Sequence, residues 1–157
     1  MSVKKSLFLL ILSGVFIACG QQNVREEKGK KIPVPIVGTW QLMSGTTIEK
    51  GDTTVTDYTK DQSFIKIIND THFAFLKHDL SGGKGNTAAY DSGGGRYTLT
   101  DSLYTEKLDY CTERDWENHT FSFTVSIKND TLTQQGVEVV ATAGINRINI
   151  ERYVRVK

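Results

Sequence analysis

This chain has no excess charge, almost no proline, one short apolar run and no catalytic signature. Its 157 residues carry 19 Lys and Arg against 18 Asp and Glu. A nucleic-acid binder needs a basic surface, so that class is excluded. The basic stretch from Arg25 to Lys31 is mixed with Glu26 and Glu27 and reads as a solvated tether. The apolar run Leu7 to Ile17, broken by Ser13 and Gly14, is too short for a comfortable transmembrane helix. The only prolines, Pro33 and Pro35, forbid a helix around themselves. After Val37 no segment sustains a helical period. The three histidines, His72, His78 and His119, are too scattered for a metal motif, and adjacent strand residues such as His78 and Asp79 point to opposite faces. The stretch Ser81 to Asn86 lacks phosphate-loop spacing and leads into no helix. It and Ser92 to Gly95 read as hairpin loops, or as glycines relieving strain where a sheet bends. No nucleophile elbow surrounds any serine. The expectation is a chain without catalytic residue, cofactor or metal.

What is present begins at the N-terminus. Lys4 and Lys5 precede the apolar run, which closes on Phe16-Ile17-Ala18-Cys19. A charged start, an apolar segment of this length and a small residue before the cut make a secretory signal. A cysteine directly after the cut resembles the mature N-terminus of a bacterial lipoprotein. That resemblance implies diacylglycerol on the Cys19 thiol, cleavage after Ala18 and acylation of the new amine. Two or more acyl chains hold a protein stably at a membrane surface. The expected location is the cell envelope, on a periplasmic or outer-membrane-associated surface. With Cys19 so committed, Cys111 is the only other cysteine, and the fold has no internal disulfide to lean on. Cys111 itself reads as a half-buried strand thiol.

Removing residues 1–18 leaves 139, with 17 basic against 18 acidic side chains, enough for one domain with a real core. Residues 19–36 form a flexible tether, and 37–157 form the domain. The domain reads as all-β. Trp40 to Leu42, Phe64 to Ile68, Thr71 to Leu80, Arg96 to Thr100, Leu103 to Thr112, Thr131 to Val140 and Asn146 to Val156 are strands, separated by turns such as Asn69-Asp70 and Lys128 to Asp130. Phe121, Phe123, Val125 and Ile127 occupy every second position, the clearest strand signal in the chain. Thr53 to Gln62 is a loop or a single turn of helix. Short turns between long strands mean hairpins in sequence order. Left open, such a sheet has two sticky edges. Closure into an up-and-down antiparallel barrel of about eight strands removes them and can enclose a small cavity. A two-sheet sandwich is the competing architecture.

Gly38-Thr39-Trp40 near the start, with an Arg on the final strand, resembles the lipocalins and wider calycins. Val37 to Leu42, Ile67 to Phe75, Ser92 to Leu99, Tyr104 to Glu106 and Glu151 to Lys157 are together similar to a bacterial lipocalin-like domain family, often small and secreted or lipid-anchored. The resemblance implies a barrel whose Trp40 closes one end under an Arg from the last strand, Arg155 before Arg152. It implies no catalytic residue.

Within the strands, Tyr104, Glu106, Leu108 and Tyr110 share one face by alternation, as do Glu151, Tyr153 and Arg155 opposite Ile150, Arg152, Val154 and Val156. An interior Glu or Arg is costly unless paired or used. If these faces look inward, Glu106, Glu151 and Arg155 would fix a polar ligand head between walls of Tyr97, Tyr104 and Tyr153. If they look outward, the charges are simply wet and the aliphatics of the last strand are core. The segment Tyr110 to Trp116 forms either a rim at the barrel mouth or a plug. The function expected first is a monomeric, lipid-anchored barrel holding a small apolar or amphipathic ligand. The alternatives are an envelope interaction or inhibitor protein working through its loops, and an enzyme using Glu106 as acid or base, which needs that carboxyl in a pocket with a raised pKa.

Overall fold

The computed structural model describes residues 33–84 and 88–157; Cys19, the signal segment and most of the tether lie outside them. Nine strands follow in order: β1 Gly38–Glu49, β2 Asp52–Asp57, β3 Gln62–Ile68, β4 His72–Asp79, β5 Tyr90–Thr100, β6 Leu103–Cys111, β7 Thr120–Lys128, β8 Thr131–Val140 and β9 Ile145–Arg155. All pairings are antiparallel between sequence neighbours, except that β1 also pairs with β3 and β9. The β1–β9 ladder runs from Trp40 opposite Arg155 to Ile48 opposite Ile148 and closes the sheet. The architecture is therefore an eight-stranded antiparallel barrel with one extra strand, and the sandwich is excluded. Closure satisfies the two edges that an open meander would expose.

The extra strand is β2. Thr53 to Asp57, read from sequence as loop or helical turn, pairs with the second half of β1, while β3 pairs with its first half. The run Thr53-Thr54-Val55-Thr56 is entirely β-branched and fits a pleated surface, which explains the strand.

Two-residue turns at one end supply the tight reversals. Asn129 and Asp130 both take positive φ (51° and 58°), as hairpin turns of this length demand. At the Asn69-Asp70 turn, Asn69 Oδ1 accepts the backbone N–H of Thr71 and of His72. The connections at the other end are longer: the β4–β5 loop, the β6–β7 segment with a single 3₁₀ turn at Arg114–Trp116, and the β8–β9 link. That end is the mouth.

Alternation along each strand sets the core. Phe121, Phe123 and Val125 of β7, Leu132 of β8, Tyr104 of β6 and Tyr153 of β9 all point inward and are buried. One bulge breaks the pattern. Gly94 opposes Tyr110 while Gly95 opposes Leu108, leaving Asp109 without a partner. The face inverts there, so Tyr110, grouped with Glu106 by simple alternation, points out at 72% exposure and Cys111 turns in. Gly95 is what allows the bulge: a Cβ there would lie 2.0 Å from the Lys107 carbonyl oxygen.

The Trp40 end is sealed. Trp40 is fully buried and its Nε1–H donates to the Ile36 carbonyl at 2.7 Å. The Arg155 guanidinium lies 4.1 Å above the Trp40 ring centre and donates to the carbonyls of Val37 (2.9 Å) and Pro35 (3.1 Å). Arg152, the other last-strand candidate, is exposed. Gly38 sits beneath this contact with φ of +146°, and a Cβ there would come 2.4 Å from Arg155 Nη1. Ile36 is buried and Val34 packs on the core, so the packed domain takes in residues that the sequence reading assigned to the tether.

Candidate functional site

Above the sealed end the barrel holds a cavity of about 360 Å³ that opens toward the mouth. Its wall carries two chemistries. Tyr58, Phe64, Phe75, Trp116, Phe121 and Phe123 are aromatic. Phe64 and Phe75 stack at 5.7 Å between ring centres, and Tyr58 meets Phe64 edge-on at 5.8 Å. Lys66, Glu106, Gln134, Glu138, Asn149 and Glu151 are polar. Each comes from alternation: Lys66 lies between inward Phe64 and Ile68 on β3, Gln134 and Glu138 lie between Leu132 and Val140 on β8, and Asn149 and Glu151 precede Tyr153 on β9.

The floor is a buried ion pair. Lys66 Nζ stands 2.5 Å from Glu106 Oε1 and donates to Gln134 Oε1 at 3.0 Å. Three rings surround the ammonium, Phe73, Tyr104 and Tyr153, at 5.3, 5.6 and 5.7 Å from their centres. Burial pushes the Glu106 carboxyl above the ordinary glutamate range, against the opposing pull of Lys66. Higher up, Glu138 accepts from Arg147 Nε at 2.7 Å and from Asn149 Nδ2 at 2.8 Å. Burial raises its carboxyl too, with Arg147 pulling the other way. Arg147 lies 5.4 Å over the Trp116 ring and links this pair to the rim. Tyr153 donates to Glu151 Oε2 at 2.8 Å.

The six residues singled out from sequence separate. Glu106, Glu151 and Tyr153 line the cavity. Tyr104 is fully buried beneath the floor, its hydroxyl without a hydrogen-bond partner among the described residues. Tyr97 packs on Tyr104 at 5.1 Å, and its hydroxyl donates to the Asn69 carbonyl at the sealed end. It borders a shallow outer depression with His72 and Arg96, not the cavity. Arg155 does not line the cavity: its guanidinium lies on Trp40 and two carbonyls at the sealed end. Ile148 and Val154 of β9 face solvent, at 37% and 36% exposure, so the face that carries Asn149, Glu151 and Tyr153 is the inner one. Lys66, Gln134, Glu138, Arg147 and Asn149 were missed, though the same period-2 reading of β3, β8 and β9 reaches them.

Trp116 is half-buried at the mouth, its ring 5.7 Å from Phe121. Cys111 also lines the cavity, half-buried, and burial raises its thiol, which disfavours the nucleophilic thiolate. Asp79 is occupied by the β4–β5 loop, accepting from the Ser81 hydroxyl and from the N–H groups of Gly83 and Ala89. Among the described residues no group of three or more potential metal ligands comes together.

The sequence matches no protein-family model and no curated protein. A solved structure of an uncharacterized protein from Bacteroides eggerthii is similar over 76% of this chain and 98% of its own, at 13% identity and a TM-score of 0.44. The barrel is compatible with a calycin or lipocalin-like fold, as the first and last strands pair around Trp40.

The raised carboxyls predict a pH dependence. A folded pKa above the unfolded one contributes stability that is present below the unfolded value and lost as pH rises through the folded value. Glu106 and Glu138 therefore favour the fold at mildly acidic pH over neutral pH. Asp57, lowered to about 2 by hydrogen bonds from Thr59 and by Lys60, and Asp109, lowered chiefly by Arg96, act in the opposite sense below the ordinary aspartate range. The melting temperature is expected to rise from pH 7 toward about pH 5 and to fall again in stronger acid. A melting temperature that climbs steadily from acid to neutral pH would contradict this assignment.

Proposed function

We propose that this protein is a lipid-anchored envelope protein of lipocalin-like type whose barrel binds a small amphipathic molecule. The observation that carries the reading is the cavity. A barrel sealed by Trp40 at one end still leaves about 360 Å³ inside, lined by both aromatic rings and hydrogen-bonding groups. Small-molecule sites combine an apolar wall with a few placed polar groups in this way. A purely apolar ligand would leave the half-buried Glu151 carboxylate desolvated against hydrocarbon, which costs free energy. The rim residue Trp116, held between Arg147 and Phe121, is placed to contact a molecule entering from the mouth.

Cys19 at the end of an apolar signal supports the anchor. Catalysis through Glu106 is the second reading, favoured by its raised carboxyl in a cavity. Lys66 already neutralises that carboxylate, and among the described residues no nucleophile is bonded to either group, so binding is the stronger reading.

Native mass spectrometry of the protein purified from its own host's membranes tests both parts in one spectrum. The expected mass begins at Cys19 and includes its acyl groups, with a further non-covalent species released on activation. A folded barrel that is empty in every preparation argues against the ligand. A mass beginning elsewhere, or without acyl groups, argues against the anchor.

A further inference from the structure

The cavity's charges do not balance. Three cations line it, and each stands beside its own carboxylate: Lys66 with Glu106, Arg147 with Glu138, and Lys77 with Asp91 at 3.6 Å. Two lining carboxylates, Glu113 and Glu151, have no cation within ion-pair distance among the described residues. Glu113 is exposed at the mouth, where water solvates it. Glu151 is half-buried on the inner face of β9, and one phenol hydroxyl, from Tyr153, is its sole hydrogen bond among the described residues. Resting on the ligand-binding reading above, we propose that the molecule held in the barrel carries a protonated amine, and that Glu151 is its anchor with the aromatic wall against its apolar part.

Three observations converge on this head group. A ligand that covers the half-buried Glu151 carboxylate strips water from it, which is expensive unless the ligand brings a positive charge of its own. Tyr153 holds one carboxylate oxygen and leaves the other to accept from an ammonium. The cavity is also lined by the rings of Tyr58, Phe64 and Phe75, and aromatic rings attract cations more than anions. Burial raises the hydroxyls of Tyr58 and Tyr153 and the carboxyls of Glu106 and Glu138, and the charge of Glu151 adds to each from across the cavity. An anionic head would add to that unbalanced field, and a neutral one would leave it in place.

Three probes of the same chain length separate the possibilities: octan-1-amine, octan-1-ol and octanoate, titrated at pH 7 below their aggregation limits and followed by tryptophan fluorescence. The amine is protonated at that pH. Octylammonium is expected to bind about tenfold more tightly than octanol, a difference of about 1.4 kcal/mol, with octanoate the weakest. Glu151→Gln keeps the shape and an acceptor for Tyr153, and should bring octylammonium down to the octanol level while octanol binds as before. Glu113→Gln should leave the preference intact. Raising the salt concentration on the unaltered protein should narrow the gap between amine and alcohol without moving the alcohol. Equal binding of amine and alcohol, tightest binding of octanoate, or a preference that survives Glu151→Gln would overturn the amine assignment and leave the ligand-binding reading standing. Failure of all three probes to bind would remove that reading and this inference with it.

Discussion

Replacing Trp40 with alanine is expected to cost the domain about 3–5 kcal/mol, the range for truncating a large buried aromatic. The effect is large because three things are lost together. The indole fills the sealed end at zero exposure, its N–H satisfies the Ile36 carbonyl, and its face supports the Arg155 guanidinium. The guanidinium in turn ties the β9 end to the carbonyls of Pro35 and Val37, so one side chain joins the start of the domain to its last strand. Arg155→Lys keeps the charge but loses the planar stack and the fork that reaches two carbonyls. It should cost about 1–2 kcal/mol, with much of that cost absent in the Trp40→Ala background. Denaturant unfolding monitored by circular dichroism measures both. A Trp40→Ala loss below about 1 kcal/mol, or costs that simply add, would remove the sealing role assigned to this contact. Because the cavity lies toward the other end, ligand affinity of the folded Trp40→Ala protein should stay within a few-fold of the unaltered protein.

Lys66→Met should be comparably severe, by a different mechanism. It leaves the Glu106 carboxylate at 6% exposure with no cation beside it, and uncompensated buried charges typically cost about 3–5 kcal/mol at neutral pH. The loss should shrink as pH falls, because a protonated Glu106 no longer needs the ammonium. The double variant Lys66→Met with Glu106→Gln removes both charges and should recover much of the stability, since buried pairs replaced whole are often nearly neutral. Thermal or denaturant unfolding of the two single variants and the double variant across pH 5 to about pH 8 supplies the coupling. If the double variant is as unstable as the sum of the singles, the ion pair is not what links these residues.

Both predictions rest on the inner face, and much of that face was legible in the alternation. Phe121, Phe123 and Val125 announce β7, and its inward side is as the period-2 pattern predicts. The same pattern names Glu151 with Tyr153 and Tyr104 with Glu106 as face-sharing pairs. It cannot say which face is in, because β9 carries aliphatics on one side and charges on the other. The usual preference for burying aliphatics points the wrong way here. Ile148 and Val154 are on the outer wall, and Glu151 and Asn149 face the cavity. The reason is closure: the register of β9 against both β1 and β8 puts Tyr153 opposite Leu42 and Leu132, and every second residue follows it inward.

The chain order of alternating segments and tight turns was enough to establish an all-β antiparallel meander, because the period of side chains along a strand and the φ demands of two-residue turns are local properties. Three features lay beyond it. The bulge at Asp109 inverts the face of β6 without any change in its sequence period, so Tyr110 leaves the cavity and Cys111 enters. The extra strand β2 forms because half of an edge of β1 is free to receive it. The charge pairing that shapes the cavity joins residues far apart in the chain: Lys66 meets Gln134 across 68 positions and Glu106 across the barrel. Electrostatic energy in a low-dielectric interior depends on distances between groups brought together by closure. Local alternation lists those groups, and the register of eight strands around a ring determines which of them meet, and that Glu151 is left without a cation.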